Sequence, residues 1–260
     1  MENRLALITG ASGGIGEAFA HILAADGYGL VLVARREQEL NRVKGVVLSK
    51  QDVPIHLVTL DLGEPGAVEK LMAELATRNL VPTVLINNAG YGLAGLAVEL
   101  PRTDQLAMIE LNVGVLTDLT LRCLPAMIAA KSGGVINISS VAGFMPGPTM
   151  AVYFATKNFV LSFGEALFEE LKGKGVIVTT LCPGAVKTGF QARAGMSGSK
   201  SLVGGGKTSA EVAQEAWDGF KAKRRVVIPG VFNRLTAHVL RCVPRVIGLP
   251  VIRFFMRQGL

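Results

Sequence analysis

No acidic residue follows Asp218 in this 260-residue sequence, although nine of its 27 Lys and Arg residues do. The residues up to Asp218 therefore hold 18 basic and 20 acidic side chains, and the formal charge of +7 comes from the C-terminal segment. A nucleic-acid-binding protein needs a basic patch on its folded body, so the nearly neutral body argues against that class. The excess charge makes the C-terminal segment a candidate for contact with an anionic surface.

Cysteine and histidine are scarce, with three of each. The cysteines are Cys123, Cys182 and Cys242, and the histidines are His21, His56 and His238. The odd cysteine count and the wide separations exclude a disulfide framework and the pairwise spacings of a zinc site. Because reduced thiols are typical of cytoplasmic proteins, we expect a cytoplasmic protein that holds no metal ion.

Long apolar runs are also missing from the sequence. No uninterrupted stretch reaches the roughly 18 residues that a membrane-spanning helix requires. Arg241, Arg245 and Arg253 interrupt the most apolar part of the C-terminal segment, which Pro244 and Pro250 are predicted to break into short helices. The sequence therefore predicts no spanning segment, and the apolar run near the N-terminus is too short for a signal peptide.

Half of the residues are hydrophobic, and they form short β-branched runs that alternate with longer helical stretches. The predicted strands are 5–9, 30–34, 55–60, 84–87, 135–139, 176–181 and 226–228, and the predicted helices are 15–26, 37–49, 67–77, 103–130, 152–172 and 210–221. The strands are apolar almost throughout, as in parallel strands covered on both faces. This alternation predicts an α/β fold, a Rossmann-like doubly wound parallel sheet of about seven strands in a single domain.

The first predicted strand runs into the glycine-rich sequence TGASGGIG, which a helix follows. Gly10 permits a tight turn, Gly14 lets backbone amides approach a pyrophosphate, and Gly16 lets the helix pack closely on the strand. A bare glycine turn is the alternative, but the flanking strand and helix favour a nucleotide site. The residues assigned to this site are Gly10, Ser12, Gly13, Gly14, Ile15 and Gly16.

The second predicted strand ends at Arg35 and Arg36, with Ala34 at the position where an NAD site has its acidic residue. An acid there binds the ribose 2′-hydroxyl and repels a 2′-phosphate, whereas arginine binds a phosphate with two hydrogen bonds. The pair therefore predicts NADP(H) as the cofactor. The alternative is that both arginines only begin a solvated helix.

Tyr153 and Lys157 are four residues apart and share one face of a predicted helix. A neighbouring ammonium group is expected to lower the pKa of the tyrosine, which lets the phenol exchange protons near neutral pH. Ser139 and Ser140 follow the preceding strand, at the edge where ligands bind in open α/β sheets, and a hydroxyl there can polarise a carbonyl. The combination predicts carbonyl reduction or alcohol oxidation. The alternative is an exposed tyrosine beside a surface lysine.

Seven segments between residue 4 and about residue 190 resemble, in order, the motifs of the short-chain dehydrogenase/reductase family. They are TGASGGIG, Asp61-Leu62, Asn87-Asn88-Ala89-Gly90, Asn112, the sequence NISSVAG over 137–143, Tyr153 with Lys157, and PGAVKT over 183–188. The resemblance implies hydride transfer with NADP(H) in a single Rossmann-like domain. Gly13 departs from many NADP-preferring members, which carry a basic residue at that position.

The resemblance also implies residue roles. The catalytic set is Asn112, Ser140, Tyr153 and Lys157. Tyr153 is expected to donate the proton and Ser140 to orient the carbonyl, while Ser139 is structural. Lys157 is expected to hold the nicotinamide ribose and tune the tyrosine, and Asn112 to position a relay water. The other residues assigned to the cofactor are Asp61, Leu62, Asn88, Ala89, Gly90, Pro183, Gly184, Val186 and Thr188.

Apolar residues near these motifs predict an apolar ketone or acyl substrate. The residues assigned to it are Ser140, Phe144, Met150, Tyr153 and Phe190. The Gly-rich stretch 188–207 is predicted to be a mobile substrate loop. We assign residues 1–228 to the catalytic domain and 229–260 to a basic, apolar helical extension packed on it.

Several functional alternatives stay open. The leading prediction is an NADP(H)-dependent carbonyl reductase. The others are a non-catalytic NADP-binding scaffold or sensor, and a lipid or 3-oxoacyl reductase at a membrane surface. The extension either packs on the cleft or a partner subunit, or lies on anionic lipid. The resemblance implies a homodimer or homotetramer through the helices at 103–130 and 152–172. From the thiols and the basic tail we expect the protein in the cytoplasm or peripheral at a membrane surface.

Overall fold

The structure is a computed structural model that describes residues 4–186 and 206–257. Its centre is a seven-stranded parallel sheet in the order β3-β2-β1-β4-β5-β6-β7. The strands are β1 (Leu5–Thr9), β2 (Gly29–Ala34), β3 (Ile55–Thr59), β4 (Val84–Asn87), β5 (Gly134–Ile138), β6 (Ile177–Leu181) and β7 (Val226–Val227). The strand order reverses between β1 and β4, so the predicted doubly wound α/β fold is confirmed.

Nine α-helices accompany the sheet in the part of the chain that the structure describes. They are α1 (Gly14–Ala25), α2 (Glu37–Leu48), α3 (Ala67–Thr77), α4 (Arg102–Ile109), α5 (Leu116–Ala130), α6 (Ala151–Glu170), α7 (Ser209–Lys221), α8 (Val231–Cys242) and α9 (Arg245–Arg257). Thr208 caps α7 in a capping box with Glu211, where each side chain bonds the backbone N–H of the other.

Two apolar clusters cover the two faces of the sheet, as expected for a parallel sheet. Alternate residues of β1 belong to different clusters: Ile8 packs with α1, α2 and α7, whereas Leu7 packs with α3, α5 and α6. Trp217 of α7 is fully buried in the first cluster, where its ring meets Tyr28 edge to face. The core therefore holds the sheet rigidly and leaves the carboxyl ends of its strands for a site.

The predicted helix at 103–130 is interrupted by a π-helical turn at Glu110–Val115 between α4 and α5. The wider turn brings the Asn112 side chain against Tyr91 and Thr156, whose polar groups it bonds. π-helical turns often occur at functional sites, and here the turn carries a predicted catalytic residue.

The same helical run, Arg102–Ala130, has the length and apolar composition of a membrane-crossing helix. Leu119, Cys123 and Leu124 on its inner side are buried in the cluster that covers the sheet. The run therefore serves as a core helix in the described structure.

The C-terminal segment forms two helices, α8 and α9. Pro244 lies between them, as predicted, but Pro250 lies inside α9 rather than ending a helix. A proline inside a helix removes one backbone hydrogen bond, which a helix at the surface tolerates better than a buried one.

Gly164 lets α6 pack closely on β6. A Cβ at this position would overlap the buried hydroxyl of Thr180. We therefore expect Gly164→Ala to lower the free energy of unfolding by about 1–3 kcal/mol because the interior is overpacked. Chemical denaturation measures the change. The matched control is Gly45→Ala in α2, where a Cβ meets no atom within 4 Å. It should stabilise the protein by about 0.5–1 kcal/mol through helix propensity, and equal effects of the two variants would contradict the packing argument.

Candidate active site

The glycine-rich turn after β1 is fastened to the end of β4. The Thr9 hydroxyl accepts hydrogen bonds from the backbone N–H groups of Asn88 and Ala89, each at 3.0 Å. The Asn88 amide donates to the carbonyl oxygens of Thr9 at 2.9 Å and Gly10 at 3.1 Å. The Asn88 side chain, which we assigned to the cofactor, therefore shapes the turn that would hold it.

Close packing explains the glycines of this turn. Gly10 has a φ of 65°, and a Cβ there would lie 2.8 Å from the Asn88 amide nitrogen. A Cβ on Gly16 would overlap the carbonyl oxygen of Gly10. Gly13 is different, because a Cβ there meets no atom within 4 Å. A side chain at Gly13 would fit, which agrees with the basic residue that many members have there.

Helix α1 begins within this glycine-rich segment, and the backbone N–H groups of its first turn are directed away from the helix. Gly13 is the N-cap residue of α1, and no side chain caps the helix. Such amides, together with the positive end of the helix dipole, form an anion site. Ser12 and Ile15 are half-buried beside them. The predicted phosphate-binding residues therefore fit a pyrophosphate.

Arg35 and Asp61, assigned separately from the sequence, meet at the ends of β2 and β3. The Arg35 guanidinium lies 3.3 Å from the Asp61 carboxylate, and both side chains are exposed. Asp61 also accepts a hydrogen bond from the Gly63 amide at 3.0 Å. Arg36 is exposed at the start of α2, whereas the Leu62 side chain is buried in the core. This edge thus presents cations to solvent where a ribose phosphate would lie.

The loop after β4 approaches the catalytic residues at Gly90. A Cβ on Gly90 would lie 2.8 Å from the side-chain oxygen of Asn112 and 3.8 Å from the ammonium nitrogen of Lys157. The Asn112 side chain accepts a bond from the Tyr91 N–H at 3.1 Å and donates to the Tyr91 carbonyl at 2.9 Å and to Thr156 at 3.1 Å. Asn112 therefore joins this loop to α6.

Ser139 and Ser140 have different environments. The Ser139 hydroxyl is buried and donates to the backbone carbonyl of Lys157 at 2.7 Å, which fastens α6 to β5. The Ser140 hydroxyl accepts from the Ala142 N–H at 3.1 Å, makes a long 3.4 Å contact to the Pro183 carbonyl, and hydrogen-bonds to Tyr153. Only Ser140 thus adjoins the tyrosine.

Tyr153 and Lys157 lie buried at the start of α6. The Lys157 ammonium donates to the Ile138 carbonyl at 2.9 Å and lies 5.9 Å from the centre of the Tyr153 ring. Burial lowers the pKa of Lys157 to about 8, although the nearby Cys182 partly opposes this. Half of the lysine is therefore neutral near pH 8.

The pKa of Tyr153 differs from the expectation. Burial raises it to about 12, and the hydrogen bond to Ser140 offsets only part of the increase. The shift has two causes, burial and the Ser140 bond, while the Lys157 ammonium donates to the Ile138 carbonyl and lies 5.9 Å from the ring centre. The expectation that Lys157 lowers this pKa is corrected: Tyr153 holds its proton firmly at neutral pH.

The loop after β6 closes the site on the side of Ser140. The Pro183 carbonyl accepts from the Val141 N–H at 2.9 Å, and Gly184 is half-covered by Asn233 of α8. Val186 packs beside the first core cluster. Thr188, Phe190 and nearly all of the predicted substrate loop at 188–207 lie outside the described residues.

Two of the apolar residues predicted to contact the substrate, Met150 and Phe144, are described, and they lie in different surroundings. Met150 is buried beside Tyr153 and Phe154. Phe144 instead lines a cavity of about 650 Å³ between α6, α7, β7 and α8, together with Glu165 and Arg225. Met150 therefore lies with Tyr153, whereas Phe144 lines a cavity whose other lining residues include none of the predicted catalytic set.

Three further residues support the site without a motif that assigned them. Asn158 donates to the carbonyls of Ala142 and Met145 and so holds the turn after Ser140. Thr156 bonds Asn112, and Asn233 lies against Gly184. The only sequence signal for Asn158 and Thr156 is that they flank Lys157. The sequence gives no such signal for Asn233.

Comparison with known sequences now decides the family. A sequence model described as short chain dehydrogenase matches residues 4–197. The chain belongs to the short-chain dehydrogenase/reductase family. It is therefore an oxidoreductase of the alcohol–carbonyl class with a nicotinamide cofactor, and the predicted family is confirmed.

Named members of the short-chain dehydrogenase/reductase family are similar over most of this chain. Sulfoacetaldehyde reductase of Chromohalobacter salexigens is 38% identical over 185 residues, which cover 70% of this chain and 72% of that protein. Very-long-chain 3-oxoacyl-CoA reductase of Mus musculus is 34% identical, and the match covers 70% of this chain and 59% of that protein. A solved short-chain dehydrogenase from Sphingobium yanoikuyae in complex with NADPH has a TM-score of 0.80 and 30% identity, covering 99% of this chain and 96% of that one.

The lowered pKa of Lys157 makes stability depend on pH. Unfolding returns the pKa from about 8 to the usual 10.5, so the unfolded chain binds the extra proton between these values. Stability from this group is therefore present at high pH and is lost as the pH falls towards 8. Relative to Lys157→Met, the free energy of unfolding of the wild type should rise by about 1 kcal/mol per pH unit between pH 8 and 10. Denaturation at several pH values measures this difference, and a flat difference would contradict it.

Proposed function

We propose that this chain transfers hydride reversibly between NADP(H) and the carbonyl or secondary alcohol group of an apolar substrate, with Tyr153 as the general acid and base. The observation that carries the proposal is the hydrogen bond between Tyr153 and Ser140 beside the end of β5. It aims two hydroxyl groups at one position on the edge of the sheet where ligands bind. A protein that only binds the nucleotide has no use for this pair.

The residues of the site fit a nicotinamide dinucleotide. The uncapped amides of α1 would hold the pyrophosphate, and Pro183, Gly184 and Val186 would adjoin the nicotinamide. Lys157 donates one of its three N–H bonds to Ile138, which leaves two for the hydroxyls of the ribose. When bound, the reduced cofactor supplies the hydride that adds to the carbonyl carbon.

The protein then handles the oxygen and its proton. Ser140 would turn from its long contact with Pro183 and donate to the substrate oxygen, which polarises the carbonyl. Tyr153 gives its proton to that oxygen as the alcohol forms, and takes a proton from an alcohol in the reverse direction. With a pKa of about 12, Tyr153 is protonated at neutral pH, and it can give this proton to the forming alkoxide because an alkoxide is a much stronger base. The Asn112 amide donates its hydrogen bonds to the Tyr91 carbonyl and the Thr156 hydroxyl, so we assign Asn112 a positioning role.

Arginines at the end of β2 support NADP(H) over NAD(H). Ala34 is buried, so no acid stands where a ribose 2′-hydroxyl is usually bound. Arg35 and Arg36 are exposed beside it, and only Arg35 has a carboxylate partner, Asp61, among the described residues. This exposed pair is weak and would yield to a phosphate. The similar structure from Sphingobium yanoikuyae holds NADPH.

Apolar residues beside Tyr153 support an apolar substrate. Met108, Met150 and Phe154 are buried around the tyrosine, with Met145 partly buried beside them. A sulfonate such as that of sulfoacetaldehyde is charged, and apolar side chains accommodate a charged group poorly. A ketone or 3-oxoacyl group fits better.

Leu121 and Phe159, exposed on α5 and α6, support a homodimer or homotetramer through these helices.

Substitution of the two hydroxyls tests catalysis. We expect Tyr153→Phe and Ser140→Ala each to lower kcat by about 10²–10⁴-fold, because proton transfer and polarisation of the carbonyl are lost. The readout is NADPH oxidation over a panel of ketones, aldehydes and 3-oxoacyl esters. The affinity for NADPH, measured by fluorescence titration, should stay within about twofold.

Ser139→Ala is the matched control, since the Ser139 hydroxyl bonds only the backbone of α6. It should lower thermal stability but keep most of kcat. Full activity of Tyr153→Phe, or a larger loss in Ser139→Ala than in Ser140→Ala, would contradict the proposed roles. Binding of NADPH without turnover of any carbonyl by the wild type would favour the scaffold.

Removal of Arg35 tests the cofactor preference. We expect Arg35→Ala to raise KM for NADPH about tenfold, because charge-assisted bonds to the 2′-phosphate are lost, and to leave KM for NADH unchanged. Arg78→Ala, which removes an exposed arginine paired with Glu74 on α3, is the control and should change neither value. A preference of the wild type for NADH, with a silent Arg35→Ala, would refute the assignment.

A further inference from the structure

Helix α8 turns its apolar residues away from the protein. Over 231–239, where the side chains are described, the buried residues are Asn233 and Ala237, a polar and a small side chain. The large apolar residues of this stretch are exposed, from 50% for Val239 to 76% for Val231. The outward set consists of Val231, Phe232, Leu235 and Val239. At 3.6 residues per turn these four span about 100° of the helix circumference, opposite the buried pair.

This orientation is the reverse of the usual one. A helix on the surface of a soluble protein buries its apolar stripe and exposes its polar face. Exposure of a contiguous apolar stripe costs free energy in water, so such a stripe marks a contact surface. The buried side of α8 has its own task, because Asn233 lies against Gly184 and bonds the Pro229 carbonyl. The helix is therefore anchored on one side and apolar on the other.

Helix α9 repeats the arrangement. Val246 and Val251 are 81% and 50% exposed, whereas Ile252 is buried. Two consecutive helices thus present aliphatic side chains outward, and Phe232 adds an aromatic ring to the set. We call the six residues Val231, Phe232, Leu235, Val239, Val246 and Val251 the outer apolar face.

The charge of the segment identifies what covers this face. No Asp or Glu follows Asp218, and the α8–α9 segment contains five arginines. Arg234 and Arg253 are exposed on the two helices, and neither forms an ion pair within the described residues. An apolar stripe flanked by arginines matches a bilayer with anionic headgroups, where aliphatic groups enter the acyl boundary and guanidinium groups meet phosphates.

A second copy of the chain fits this face less well. Self-association would bring two acid-free, arginine-bearing segments together, and like charges repel across an interface. A spanning helix is also excluded for the segment, because Pro244 separates two helices of 12 and 13 residues. We propose that helices α8 and α9 dock the protein on an anionic membrane surface through the outer apolar face, with the helix axes along the bilayer plane.

Helix α8 connects the docked surface with the active site. Asn233, on the inner side of the helix, touches Gly184 in the loop beside Ser140 and Pro183. Docking therefore places this loop of the site within one helix of the lipid phase. The docking itself does not depend on the proposed catalytic function, and its test reads binding rather than turnover.

Vesicle flotation tests the docking. The full chain is mixed with vesicles of phosphatidylcholine alone or with phosphatidylserine, at low and at high salt. We expect it to float with phosphatidylserine vesicles and to bind phosphatidylcholine much more weakly. Phe232→Gln/Leu235→Gln should weaken binding by about tenfold or more, because two side chains no longer enter the acyl region. Arg234→Gln should weaken it about fivefold, and only for anionic vesicles.

The matched control is Val81→Gln/Val98→Gln, which changes two apolar residues that are 58% and 93% exposed elsewhere on the surface. This control should bind vesicles as the wild type does. All variants should keep the circular dichroism spectrum and the NADPH affinity of the wild type. Failure of the wild type to float with anionic vesicles at low salt would refute the proposal. So would loss of a dimer in Phe232→Gln/Leu235→Gln by light scattering without vesicles, since the face would then join two copies.

Discussion

The active site depends on the attachment of α6 to the end of β5. The Ser139 hydroxyl bonds the Lys157 carbonyl, and the Lys157 ammonium bonds the Ile138 carbonyl. These two buried bonds run in opposite directions between one strand and one helix, and both oppose a shift of α6 along the strand end. They fix the distance from Ser140 to Tyr153, and hydroxyl groups that act on one carbonyl need a fixed distance. Either bond alone still links the helix to the strand, which is why loss of the Ser139 hydroxyl is expected to cost stability rather than turnover.

A second attachment gives the cofactor side the same rigidity. Thr9 and Asn88 join the turn after β1 to the end of β4, and Asn112 joins the loop after β4 to α6. The phosphate end and the reacting end of the site are therefore held by one chain of hydrogen bonds across the sheet edge. Residues that the family motifs assign to the cofactor, such as Asn88, thus build the site as much as they line it. Preorganisation of this kind lowers the reorganisation that catalysis requires.

The C-terminal helices differ from the rest of the fold in the side chains that they expose to solvent. The sheet and its helices bury most of their large apolar residues, whereas α8 and α9 expose the outer apolar face and carry positive charge. Asn233 connects the two parts, because it lies between α8 and the loop at Gly184. The charge that the sequence concentrates after Asp218 therefore lies on helices that touch the active-site loop. A surface that meets lipid and a site that accepts an apolar carbonyl are consistent with one another.

Much of this protein follows from its sequence alone, because local signals specify it. The alternation of apolar strands with helices predicted the seven-stranded sheet, and glycine spacing with Tyr153 and Lys157 predicted the family. Three features required the tertiary structure. The π-helical turn places Asn112 in hydrogen bonds with Tyr91 and Thr156, which are distant in sequence. The raised pKa of Tyr153 depends on burial, which a spacing of four residues does not reveal. The outward direction of the apolar residues of α8 also has no sequence signal, because a helical pattern defines a face but packing decides which way it points.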